Sequence, residues 1–256
     1  MPRVPAPGRL VGPLWVVTYG SGPPLVLLHG NGEDHHVFDR MVPTLGAGRT
    51  LVGIDSRGHG RSPRGDGPLR IATMADDVAQ VLDHLGLAGV DVLGFSDGGN
   101  IALELALRHP AAVGRLVVVG SNLHPSGIVT HARVAVRCAH AVLAAIARVV
   151  PAVRARAEQL TLMTHDPCLS TDDVARIAVP TLVVVGERDV VRPEHTRALV
   201  DAVPQARLVV VPRAGHMLPL RQPDRLAAVV GAFLAEREGD VGLGRPGDSR
   251  EPPHEI

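Results

Sequence analysis

Lysine is missing from this 256-residue chain: all 26 basic side chains are arginine, matched by 26 aspartates and glutamates. A formal charge of zero, with the arginines scattered along the chain, argues against nucleic acid or an anionic membrane surface as the main partner, because both call for a basic patch. The all-arginine usage reads as codon bias and not as a binding signal. Aromatic residues are nearly absent too. Trp15, Tyr19, Phe38, Phe95 and Phe233 are the whole set, so aliphatic side chains must fill the core and much of any substrate pocket. Cysteine is limited to Cys138 and Cys168, whose separation fits neither a metal site nor a redox motif; two unpaired buried thiols in a reducing cytosol are expected. No apolar run approaches the roughly 20 residues that cross a bilayer. The Pro-rich stretch at the start lacks the charged-then-apolar layout of a secretory signal. A cytoplasmic, soluble protein follows as the expectation, with a small molecule as its partner.

The chain does contain an alternation. Short apolar runs at residues 14–19, 25–28, 50–54, 90–93, 116–119, 181–185 and 207–211 read as strands. The later ones are nearly continuous Val, Leu and Ile, the pattern of parallel strands buried on both faces. Helical patterns lie between them. Residues 73–85 open on Thr73 and Asp76, a possible capping box, and stop at Gly86; residues 193–203 and 223–236 each start with proline. The result is an α/β fold, a mostly parallel sheet flanked by helices. The alternation lapses between residues 121 and 179, where only helix-forming sequence occurs, interrupted by Pro151 and Pro167. There Arg133, Arg137 and Arg148 share one helical face, with Val134, Cys138, Val142 and Ala145 nearer another. The expected organisation is therefore a core of residues 1–120 and 180–237, a small helical lid at 121–179, and a Gly- and Pro-rich disordered tail at 238–256.

Gly94-Phe95-Ser96-Asp97-Gly98-Gly99 sits between a strand and a helix. Gly-x-Ser-x-Gly in that setting is a nucleophile elbow, a turn so tight that neighbouring side chains must nearly vanish, with the serine raised beside the amides of a helix N-terminus. A serine nucleophile needs a base and an acid to orient it. Asp189 follows the run at 181–185 and His216 follows that at 207–211. Loops after parallel strands meet on one edge of the sheet, so Ser96, Asp189 and His216 are the expected catalytic group. Glu187 competes with Asp189 from the same loop; Asp201 falls inside a helix. Backbone amides of Asn31, in the Gly-rich turn after 25–28, and of Asp97 are the expected oxyanion donors. His29, Asp55 and His59 are read as braces for their loops. The Asp97 carboxylate is free for another task, either contact with a cationic substrate group or hydrogen bonds to loop amides. Leu160, Leu162 and Met163 of the lid are candidate substrate contacts favouring a small apolar acyl group. Glu33-Asp34-His35-His36 carries metal-binding groups, but adjacent histidines diverge in most backbones and the reaction needs no ion, so neither metal nor cofactor is expected.

His29-Gly30-Asn31-Gly32, the block Asp55 to Ser62, the elbow, Gly186-Glu187-Arg188-Asp189 and Gly215-His216 occur in an order that resembles the serine-nucleophile branch of the α/β-hydrolase superfamily. The resemblance runs over residues 14–237. The elbow is similar to that of valacyclovir-hydrolase-like esterases, and the overall plan to 3-oxoadipate enol-lactonases. It implies a serine hydrolase that cleaves a small ester through an acyl-enzyme. Lactone or carbon–carbon bond hydrolysis is the alternative within enzymes, and a non-catalytic ligand receptor on the same scaffold the alternative outside them.

Overall fold

A computed structural model describes residues 7–236. Eight strands run β1 (Arg9–Val11), β2 (Leu14–Gly20), β3 (Pro24–Leu28), β4 (Thr50–Asp55), β5 (Val90–Phe95), β6 (Val113–Val119), β7 (Thr181–Arg188) and β8 (Ala206–Gly215). The helices are α1 (Val42–Leu45), α2 (Ile71–Leu85), α3 (Asp97–Arg108), α4 (Thr130–Ile146), α5 (Arg154–His165), α6 (Thr171–Val174), α7 (Pro193–Ala202), α8 (Leu218–Arg221) and α9 (Pro223–Ala235). All strands form one sheet in the order β1-β2-β4-β3-β5-β6-β7-β8. The two pairs made by β2 are antiparallel, and every pair from β4 to β8 is parallel.

Alternation along the central strands divides the core. Val92, Leu116 and Val118 face one side, with α2 and α3 packed over them; Leu93, Phe95, Val117 and Val119 face the other, with Phe38, Met41 and α9 over those. Each central strand is thus covered on both faces, which is why its sequence is an unbroken aliphatic run. β8 is different. It lies at the sheet edge, and Leu208 and Val210 are exposed although their run reads like an interior strand. Short β1 pairs only with β2 and has too few residues to show a period.

Several local expectations change. The second helix begins at Ile71 with Arg70 as its N-cap and no side-chain cap, so Thr73 and Asp76 form no capping box. Asp76 instead accepts hydrogen bonds from Arg108 and pairs with His109 at the end of α3. Gly86 does end the helix, in the left-handed conformation. Both cysteines are free but exposed rather than buried. Cys138 lies on the outward side of α4, and Cys168 donates its S–H to the His165 carbonyl. The valine face of α4 also points outward: Val134 and Val142 are 52% and 57% exposed, while α4 rests chiefly on α5, with His140 Nε2 3.2 Å from Thr161 Oγ1. The region 121–179 is helical, as its composition suggests. Its one strand-like contact is a bridge between Ile128 and Val191. The expected tail at 238–256 lies outside the described residues. Among those described, no helix is long and apolar enough to cross a membrane.

Candidate active site

Four parallel strands, β3, β5, β7 and β8, end at one edge of the sheet, and the loops that follow them carry Asn31, Ser96, Asp189 and His216. The elbow between β5 and α3 holds Ser96 at φ 54° and ψ −120°, a backbone region that a residue with a Cβ rarely occupies. This strain aims the side chain away from the helix it caps. The turn closes only because Gly94 and Gly98 have no side chain. A Cβ on Gly94 would overlap the Gly98 carbonyl, and one on Gly98 would overlap the carbonyl of Leu28 at the end of β3.

Ser96 Oγ lies 3.1 Å from His216 Nε2, and His216 Nδ1 lies 2.8 Å from Asp189 Oδ1. Asp189 also accepts the backbone N–H groups of Val191 and Gly186. Its burial alone would raise the pKa. The His216 hydrogen bond and charge, with those two amides, outweigh that and hold the carboxyl below its ordinary value. Glu187, the competing acid, is exposed and accepts the N–H of Arg213, which sits at φ 59° where the chain turns toward His216. Asp201 is an exposed residue of α7. The structure therefore brings Asp189, and neither rival, to the imidazole.

Beside the serine, the N–H groups of Asn31 and Asp97 have no hydrogen-bond partner among the described residues. The Asp97 side chain is buried, and each oxygen takes a side-chain amide: Asn31 donates to Oδ2 at 3.0 Å and Asn100 to Oδ1 at 3.4 Å. Burial dominates its titration and pushes the pKa up to about 6, with Asp166 adding to the rise while Asn31, His216 and Asn100 oppose it. Asn31 also donates to the Gln159 carbonyl at 2.7 Å and accepts from Arg156 at 3.3 Å. Gln159 reaches across to the Gly58 carbonyl. One asparagine thus ties together the loop after β3, the residue after the serine, and α5.

The braces behave as loop anchors. Buried His29 joins Gly30 O to the Ser56 N–H, and burial, followed by the charge of His59, lowers its pKa to about 4. Asp55 holds His35 and the Arg61 N–H, and His59 contacts the Arg57 carbonyl. Among the proposed lid contacts, Leu162 is taken up by core packing with Val174 and Ile177, Leu160 is buried, and Met163 is half-buried. The hydrogen bonds of α5 with the loop after β3 come from polar Gln159 and Arg156. Sequence alone offers no signal for them, since their task arises from how α5 docks. Glu33, grouped in the sequence with metal-binding side chains, instead holds its own loop: its carboxylate accepts the Gly30 N–H at 3.0 Å while its own N–H returns to Gly30 O, and burial raises its pKa. The spacing of three residues is the available clue. Together the groups provide a hydroxyl next to an imidazole backed by a carboxylate, with two unoccupied amides close by, an arrangement able to transfer an acyl group.

Comparison with known proteins places the chain among hydrolases. Residues 23–138 match the family model described as alpha/beta hydrolase fold. Among curated proteins, the 2-hydroxymuconate semialdehyde hydrolase of Pseudomonas sp. strain CF600 is 31% identical over 86% of this chain and 89% of its own length. Among solved structures, the enol-lactonase of Burkholderia xenovorans LB400 superposes with a TM-score of 0.72 at 25% identity, covering 90% of this chain and 100% of that one. A thermophilic esterase from Thermogutta terrifontis gives a TM-score of 0.73 at 24% identity, covering 90% of this chain and 98% of that one, and shares the fold.

Proposed function

The chain belongs to the α/β-hydrolase family, and from that premise we propose that it is a serine hydrolase cleaving a small carboxylic ester through an acyl-enzyme. Ser96 Oγ attacks the carbonyl carbon as His216 Nε2 takes its proton, and Asp189 keeps the imidazole in the required tautomer and steadies the imidazolium. The Asn31 and Asp97 amides receive the oxyanion; losing one such donor typically costs about 3–4 kcal/mol. His216 then gives its proton to the leaving alcohol, and the same imidazole draws a proton from the water that releases the acid. The observation carrying this reading is the continuous hydrogen-bonded line at 3.1 and 2.8 Å from Ser96 through His216 to Asp189.

Lactone or carbon–carbon bond hydrolysis uses the same groups and is the second reading, favoured by the likeness to an enol-lactonase and to a 2-hydroxymuconate semialdehyde hydrolase. A panel of p-nitrophenyl esters of increasing acyl length, lactones and vinylogous diketones separates the two. Fastest turnover on short esters, with fluorophosphonate labelling confined to Ser96, is the expected outcome. Tight binding of a ligand without repeated turnover would instead indicate a receptor.

Asp97 supplies a test through stability. Its pKa rises from an unfolded value near 3.9 to about 6 in the fold. The folded state therefore holds this proton more tightly, and the contribution of Asp97 to stability is largest below pH 4, falling as pH rises through the interval up to about 6. Asp97→Asn keeps the backbone amide and an acceptor oxygen but removes this loss. The variant is expected to exceed wild type by up to about 3 kcal/mol above pH 7 and to match it near pH 4. Urea melts at the two pH values measure the difference; the same offset at both would show that the buried charge is not its source.

A further inference from the structure

Three residues beyond Asn31, Asp34 caps the 3-10 turn His35–Phe38, accepting the His36 N–H at 2.9 Å. An extended backbone would send His35 and His36 to opposite sides. The tight turn brings them together, with ring centroids 4.1 Å apart and planes tilted by 36°. Candidate donor atoms of Asp34, His35 and His36 all lie within 4.8 Å of one another. Each imidazole is also held from behind. His35 Nδ1 meets Asp55 Oδ1 at 2.7 Å, and His36 Nδ1 meets Asp39 Oδ2 at 2.9 Å. A carboxylate that accepts the Nδ1–H selects the tautomer with its lone pair on Nε2, the state in which histidine binds metal. Neither Nε2 has a hydrogen-bond partner among the described residues.

The local charge agrees with the donors. Asp34, Asp39 and Asp55 place three carboxylates around this turn, and none is paired with an arginine side chain among the described residues. Elsewhere the chain does pair its acids in that way, as in Arg49–Asp91, Arg57–Asp77 and Arg108–Asp76. We propose that Asp34, His35 and His36 bind one zinc-class divalent ion, with Asp39 and Asp55 orienting the two imidazoles. Two nitrogens and one carboxylate oxygen suit zinc and its neighbours in the transition series, whereas magnesium and calcium favour sets made of oxygen alone. Donors in a tetrahedral zinc site stand roughly 3.4 Å apart, given bonds of about 2.0–2.1 Å. His36 and its partner Asp39 are 64% and 51% exposed, so the pair can shift together to close the set, with water in the fourth position. The ion touches no reacting atom of the proposed hydrolysis. It pins the turn Asp34–His36, whose His35 is already hydrogen-bonded to Asp55 at the end of β4, and so acts as a local brace.

Full-length protein stripped with a chelator, titrated with zinc sulfate by calorimetry and against a chromophoric chelator, tests this. One zinc per chain is expected, with a melting temperature that rises with zinc concentration. His36→Ala and Asp34→Asn should each weaken zinc binding at least about tenfold, and Asp39→Asn by roughly tenfold. All three should keep the zinc-free rate of ester hydrolysis and the zinc-free melting temperature close to wild type. Unchanged affinity in both His36→Ala and Asp34→Asn would place zinc on other histidines of this chain and overturn the assignment. Absence of saturable one-to-one binding, or equal competition by magnesium chloride, would overturn it as well. A hydrolase without activity that still binds zinc in this pattern would leave the site intact while removing the ester reading.

Discussion

Ser96→Ala is expected to lower kcat on p-nitrophenyl butyrate by about six orders of magnitude, leaving only the residual acceleration due to the oxyanion donors and substrate binding. The size follows from interdependence. Without the hydroxyl, His216 has no nucleophile to deprotonate and Asp189 orients an idle imidazole, so one deletion removes the work of all three groups. Asp189→Asn should fall by about four orders of magnitude, since the amide can hold the wrong tautomer. Stability gives an independent readout. Ser96 carries φ 54°, and Ser96→Gly relieves that strain while Ser96→Ala retains it. Both variants are expected to be inactive, with the glycine form more stable by about 1–2 kcal/mol. An alanine variant that still turns over ester at a hundredth of the wild-type rate would assign the nucleophile elsewhere.

Gly98→Ala should be the most damaging single methyl in the molecule. The added carbon would be driven into the Leu28 carbonyl carbon and oxygen and the His29 carbonyl oxygen. These atoms are backbone at the end of a central, fully paired strand, so no rotamer change can relieve the overlap. Either the helix α3 must back away from β3 or the elbow must open, and both uncouple Ser96 from the loop carrying Asn31. A loss above about 4 kcal/mol is expected, enough to consume most of the stability of an ordinary domain. Gly231→Ala is the matched control. It lies in α9 with nothing within 4 Å of the added carbon, and should raise stability by about 0.5–1 kcal/mol through helix propensity. Chemical denaturation of the pair decides the point: similar midpoints for the two variants would mean that the elbow tolerates a side chain.

Local chemistry wrote some features into the sequence plainly. A Gly-x-Ser-x-Gly turn between an aliphatic run and a helical pattern can only be a sharp strand-to-helix reversal, because the requirement for vanishing side chains is met within six residues. The central strands were legible for a similar reason, since a strand covered on both faces must be apolar at every position. Parallel order then puts the loops bearing Asn31, Ser96, Asp189 and His216 at one edge. Features that depend on what lies across a gap were not legible. Leu208 and Val210 read as interior residues, yet among the described residues no strand pairs beyond β8, and only the sheet order reveals an edge. Thr73 and Asp76 had the spacing of a cap, but Arg108 and His109, more than thirty residues away, compete for the same carboxylate.

The helices of residues 121–179 and the paired histidines mark the same boundary. Composition marks residues 121–179 as helix-forming, but an amphipathic period does not say which face a helix turns to its neighbour. The outward valines of α4 and the grip of α5 on Asn31 were decided by docking. Backbone curvature likewise brought His35 and His36 together, where residue order alone suggested divergence. Chemical identity and local geometry come from the chain itself, because they depend on neighbours a few bonds away. Partnership between distant side chains depends on the free energy of the whole packed assembly, and no single segment contains that information.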